Sequence, residues 1–253
     1  MINELLLLSG NDIPFPEARV SIHQPTIKEI AYIGEESFFL GCDFLTFSQE
    51  KLAEKDKNGL ENVNNFDIIM SIMKDKSNIM AQQNRVNALL LLTIIFPNYT
   101  ISLSDNEIVL KRENNYYYLN RDNFLKFQEI LKDMFCLHKK SDNELDYNPA
   151  NNLAREFAEK MRKGREIANR AKGINENSKI AILSRYVSIL TIGLKEDMNS
   201  LLDYTVYQLF DAYQRFDLQY QFDLYVKQKL AGATDLEDVD NWMKDIHSES
   251  IDN

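Results

Sequence analysis

Histidine, cysteine and glycine are scarce: three, two and eight of them among 253 residues, which narrows the chemistry open to the chain. His23, His138 and His247 stand apart, with no H-E-x-x-H pair and no second ligand at helical spacing, so no zinc site is expected. Cys42 and Cys136 form no C-x-x-C pair and read as reduced thiols of a cytosolic protein. The glycines spell neither G-x-x-x-x-G-K-[ST] nor G-x-G-x-x-G nor G-x-S-x-G, which removes the usual phosphate cradles and the serine-hydrolase elbow. Long apolar runs are missing too. The longest, residues 88–96, is interrupted by Thr93 and stopped by Pro97, whereas a bilayer span needs roughly 20 apolar residues. The first ten residues lack the basic start of a signal peptide. Basic charge is also short, 29 Lys and Arg against 39 Asp and Glu, and a net charge of −10 argues against a general nucleic-acid binder. The expectation is a protein with no enzymatic activity, no cofactor and no metal.

What is there describes an ordinary core-forming chain, 44% hydrophobic and 27% charged. The charge is unevenly placed. Residues 150–173 hold seven basic and three acidic side chains, and residues 197–253 hold twelve acidic and four basic. Such segments either pair with each other or are solvated helix faces with i to i+4 pairs such as Glu156 with Lys160. The acidic group Asp235, Glu237, Asp238 and Asp240 lacks the order of a calcium loop and falls where the start of a helix favours negative charge.

Hydrophobic periodicity gives an α+β, mostly helical fold, with a small antiparallel sheet plus helices in the N-terminal half and an all-helical C-terminal half. Residues 5–8 and 18–23 read as short strands, the second alternating through Val20 and Ile22. Thr26 and Glu29 form a capping box for a helix whose face is Ile27, Ile30, Ala31 and Gly34. Phe66, Ile69, Met70 and Met73 mark another helix, and Met80, Gln83, Val86, Leu90, Leu91 and Ile94 the next, which Pro97 ends. Residues 99–103, 107–111 and 116–119 form a meander, followed by a helix capped at Asn120 with the face Phe124, Phe127, Leu131, Met134 and Phe135. The polar stretch 139–152, with Pro149, is the expected boundary between an α+β domain, 1–140, and a helical domain, 150–253. Helices are expected over 150–172, 178–194, 203–231 with room for a break near Asp217, and 235–247.

The C-terminal end is the candidate interaction site. Tyr204, Tyr207, Phe210, Tyr213 and Phe216 recur every third residue, and a step of three drifts by roughly 60° around a helix, so the row winds about it. Such a helix needs several neighbours or a partner chain to enclose it. Gly232 then closes the helix, and Thr234 with Glu237 forms a capping box for a short amphipathic arm. Its stripe is Leu236, Val239, Met243 and Ile246, with Trp242 alongside. The arm either docks on its own domain or binds another chain, a role for which Trp and Met are common anchors. The expected partner-binding residues are therefore Tyr207, Phe210, Tyr213, Phe216, Leu236, Val239, Trp242, Met243 and Ile246.

Two stretches carry a resemblance. YQLFDAYQRFDLQYQFDLYVKQKLAGA followed by DNWMKDI resembles the C-terminal portion of tail assembly chaperones of long-tailed bacteriophages, and VSIHQPTIKEIAYIGEESFF, residues 20–39, is similar to their opening. The resemblance implies a non-enzymatic factor in the host cell cytoplasm that binds the tape-measure protein while tube subunits polymerise. Connector, tail and baseplate proteins of the same phages carry similar helical ends, so a component that stays in the virion, or a homo-oligomer, is the alternative it leaves open.

Overall fold

The computed structural model describes residues 2–47, 64–137, 182–233, 239 and 241–243. The chain opens with a helix. Asn3 accepts a hydrogen bond from the Leu5 amide and Gly10, at a φ of +69°, closes the last turn, so α1 (Glu4–Ser9) stands where residues 5–8 read as a strand. The four leucines carry no period-2 alternation, and caps on both sides favour the helix. The partner of the expected second strand is instead β1 (Ile13–Phe15), which pairs antiparallel with β2 (Val20–Ile22) through Ile13 with Ile22 and Phe15 with Val20.

The box at Thr26 and Glu29 forms as expected and starts α2 (Ile27–Ile33), which buries Ile27 and Ile30. Helix α3 (Glu35–Leu45) follows at once, then α4 (Asn65–Lys74), with Phe66, Ile69, Met70 and Met73 all buried. Helix α5 (Ile79–Ile95) ends before Pro97, but its buried face is Ala81, Asn87, Ala88, Leu91, Leu92 and Ile95. Met80 and Val86 of the expected face are exposed. Packing sets this rotation. A Cβ added at Gly41 of α3 would lie 2.8 Å from the Asn87 carbonyl oxygen, so α3 and α5 cross with backbones close together and only the face around Asn87 and Leu91 fits the crossing.

Strands β3 (Thr100–Leu103), β4 (Ile108–Arg112) and β5 (Asn115–Leu119) form the expected meander, in the order β3-β4-β5. Ile108, Leu110 and Leu119 face the core. Helix α6 (Phe124–Met134) lays Phe124, Phe127, Leu131 and Met134 into it, and Phe135 follows just past the helix end. Phe127 sits centrally, 6.2 Å from Phe15, 5.9 Å from Phe96 and 5.8 Å from Phe124, centroid to centroid. Tilted and offset rings at these distances are the favoured arrangement.

Beyond residue 181 the described elements are α7 (Ile182–Leu194), α8 (Met198–Leu202) and α9 (Val206–Leu230). Leu183, Val187, Leu190, Leu201, Val206, Tyr207 and Leu209 join the same core cluster as Phe15 and Phe127. Both small antiparallel sheets lie in the N-terminal half, and the fold is α+β and mostly helical. The expected boundary at 139–152 and the basic helix at 150–172 lie outside the described residues. Among the described residues no helix is long and apolar enough to cross a membrane.

Candidate interaction surface

Helix α9 is fixed at its start by three contacts with the N-terminal half. Thr205 accepts from the Gln208 amide at 3.3 Å while the Gln208 side chain accepts from the Thr205 amide at 2.8 Å, a capping box beyond those expected, though T-V-Y-Q spells it in the sequence. The same Gln208 donates its Nε2 to the Leu8 carbonyl at 2.7 Å, satisfying an acceptor at the end of α1. Thr26 and Thr205, the two N-caps, pair as an isolated antiparallel bridge, and the Ile27 amide donates to the Tyr204 carbonyl at 2.8 Å. The starts of α2 and α9 are thus locked together.

A second tie lies at α7. The Glu35 carboxylate accepts from the Leu183 amide at 2.6 Å and from the Ser184 hydroxyl at 2.8 Å, placing negative charge at the first described turn of that helix. A groove of about 380 Å³ runs beside it, with Ile27, Ile30, Val187, Met198 and Leu202 in its walls. Among the described residues its one carboxylate is Glu35, already paired with those donors.

Along α9 the aromatic row divides. Tyr207 is buried in the chain's own core, while Phe210, Tyr213 and Phe216 are half-buried and pack against it. Tyr186 of α7 stacks on Tyr213 with centroids 3.8 Å apart and meets Phe210 edge-on at 5.2 Å. Burial raises the Tyr186 and Tyr213 phenols above their ordinary range, so both stay protonated. Phe216 covers Gly193, where an added Cβ would come within 2.4 Å of the ring. There α7 ends. Helix α9 does not break near Asp217 but continues unbroken to Leu230, and on this projecting part Tyr220, Leu224 and Leu230 are 60%, 45% and 84% exposed.

Of the arm, Val239, Trp242 and Met243 are described. Arg215 donates to the Trp242 carbonyl at 3.2 Å, so this piece lies back along α9, with Trp242 39% and Met243 67% exposed. At these positions the helix expected over 235–247 is not formed: Trp242 and Met243 occupy a turn. The Asn241 side chain accepts from the Met243 amide at 3.0 Å, a local bond that competes with helical pairing. Leu236 and Ile246, and the box at Thr234 and Glu237, lie outside the described residues.

One titratable cluster sits near the locked helix starts. His23 bonds Asp12 at 2.9 Å through Nδ1 and Glu29 at 3.2 Å through Nε2. Burial works against the imidazolium, but the hydrogen bonds and charges of Asp12 and Glu29 outweigh it, and His23 titrates above its ordinary value of 6.5. Burial likewise opposes ionisation of Glu29, yet bonds from Thr26 and His23 bring it below its ordinary 4.5. Among the described residues no group of three His, Cys, Asp or Glu could hold a metal ion.

Residues 175–247, the stretch that carries α7, α8 and α9, match the family model of the YomV second domain, a phage-derived family, and this similarity points to a phage protein. No curated protein and no solved structure matches the chain.

Proposed function

We propose that this chain is a phage morphogenesis factor without enzymatic activity that holds other proteins through its C-terminal helices, and that it is a tail assembly chaperone binding the tape-measure protein during tail-tube assembly. The observation that carries this reading is the course of α9. The helix is locked into the fold at Thr205 and Gln208, packs against α7 as far as Phe216, and then runs on with Tyr220, Leu224 and Leu230 uncovered. Exposed apolar side chains on one helix favour a partner over solvent. Phe210, Tyr213 and Phe216 would support such a surface from the core side, and Val239, Trp242 and Met243 would extend it, since the Arg215 contact brings Trp242 onto the same helix. The phage-derived character of 175–247 supports the setting.

The second reading is a virion component, a connector, tail or baseplate protein that keeps these contacts in the finished particle. It is favoured by the same fixed geometry, because a helix held rigidly at its base suits a permanent neighbour. Quantitative mass spectrometry of purified particles and of the lysate separates the two. A chaperone is abundant in the lysate and nearly missing from particles, in host cytoplasm only; a stoichiometric amount in particles overturns the chaperone reading.

A further inference from the structure

On α9, Tyr213, Asp217, Tyr220, Leu224 and Lys227 follow one another at spacings of four, three, four and three, the heptad seam of a coiled coil. The upper end of this seam is covered: Tyr213 stacks on Tyr186 of α7. Asp217 is half-buried, and beyond it Tyr220 and Leu224 stand exposed at 60% and 45%. Phe216 stacks beside Tyr220, 6.4 Å away, and steadies its ring. The described part of the tail is held elsewhere on the helix. Arg215, which holds the Trp242 carbonyl, lies roughly 160° around the helix from Asp217.

The uncovered part of the seam reads acid, aromatic, aliphatic, base, and that order is complementary to its own reverse. Two such helices laid antiparallel about a two-fold axis level with residue 222 bring Tyr220 of each opposite Leu224 of the other, and Asp217 opposite Lys227 at both ends. This is also the register in which antiparallel seams pack, each first-position residue against a fourth-position residue of the other strand. A two-fold contact uses the same patch on both copies, so every favourable pair occurs twice.

We propose that residues 217–227 of α9 form a self-association seam through which two copies of this chain pair antiparallel. The seam goes beyond the proposed function and shares Tyr220 and Leu224 with it, so self-pairing and client binding compete for those two side chains. The two charged pairs fix direction: a parallel pairing sets Asp217 against Asp217 and Lys227 against Lys227, and like charges across a seam disfavour it. Asp217 now receives a hydrogen bond from Gln221 Nε2 of its own helix at 2.7 Å, which leaves its second carboxylate oxygen for the partner's Lys227 ammonium. The seam is short, about 15 Å along the axis, so the pair is a concentration-dependent one.

Sedimentation of the full chain across a roughly hundredfold concentration range reads the outcome directly, with a mass rising from 29.5 kDa toward twice that value. Asp217→Lys and Lys227→Asp each turn two attractions into two repulsions, and each should raise the dissociation constant roughly tenfold. Mixing the two variants restores both pairs in the heterodimer, as does combining both changes in one chain, and each should bring association back. Leu224→Glu should abolish it. Of the three positions Leu224 and Lys227 are exposed and Asp217 is half-buried, and an unchanged thermal midpoint confirms that the variants fold. A monomer at every concentration overturns the proposal, and so does a dimer indifferent to the single reversals or one that mixing fails to rescue.

Discussion

Gly193 and Phe216 offer the sharpest probe of how α9 is held. A Cβ at position 193 would fall 2.4 and 2.5 Å from two ring atoms of Phe216, far inside contact distance. In Gly193→Val the ring must leave its place over α7. Overpacking of this kind costs about 1–3 kcal/mol, and valine gains little helix propensity to offset it. For a chain of this size each kcal/mol moves the thermal midpoint by about 2–4 °C, so a fall of a few to about 10 °C is expected by calorimetry. Phe216→Ala alone removes a half-buried ring and should cost about 2 kcal/mol, below the 3–5 kcal/mol of a fully buried phenylalanine. The double variant is the decisive one. With the ring gone, the valine fills part of the space it left, and the combined loss should fall short of the sum by about 1–2 kcal/mol. Strict additivity, or a Gly193→Val variant as stable as the wild type, refutes the packing of Phe216 on α7.

Three further outcomes follow from the structure. His23, raised above 6.5, contributes stability that is complete below 6.5 and fades as the pH climbs through its folded value, whereas Glu29, lowered below 4.5, contributes above 4.5 and fades as the pH falls through its own. Both contributions are therefore present between pH 4.5 and 6.5, and His23→Gln should flatten the dependence of the thermal midpoint on pH above that window; an unchanged profile contradicts the cluster. Burial pushes Cys136 up to about 12 and Cys42 well above its ordinary value, so a thiol reagent at pH 8 should label neither until denaturant is added, and rapid native labelling of either argues against their placement. Trp242→Ala should cost less than about 1 kcal/mol of stability, because the residue is 39% exposed and its carbonyl keeps the Arg215 bond, yet weaken client capture; lost stability with capture intact reverses the assignment.

The parts of the fold legible from sequence are those where a local signal and the tertiary demand agree. The box at Thr26 and Glu29, the face Phe66, Ile69, Met70 and Met73, the meander and the Phe124 to Phe135 stripe are all of this kind. Where the crossing of two helices decides, periodicity fails: α5 turns Asn87 and Leu91 toward Gly41 and leaves Met80 and Val86 outside, which no pattern within α5 announces. At residues 4–9 a leucine run that reads as a strand is a helix, and its end signals, Asn3 and Gly10, are the better guide. The candidate site was legible as a region and not residue by residue. Three-residue spacing identifies an aromatic helix but cannot show that α7 stops at Leu194, which alone separates half-buried Tyr213 from exposed Tyr220.

Affinity capture from cells producing the phage tail proteins, with the full chain and with a chain lacking residues 234–253, bears most directly on the claim that the C-terminal end holds a client. The full chain should retain the tape-measure protein in near-equal amount, and the shortened chain, folded by circular dichroism, should retain little of it. Capture of no tail protein contradicts that claim, and equal capture by both chains assigns the client to α9 without the arm.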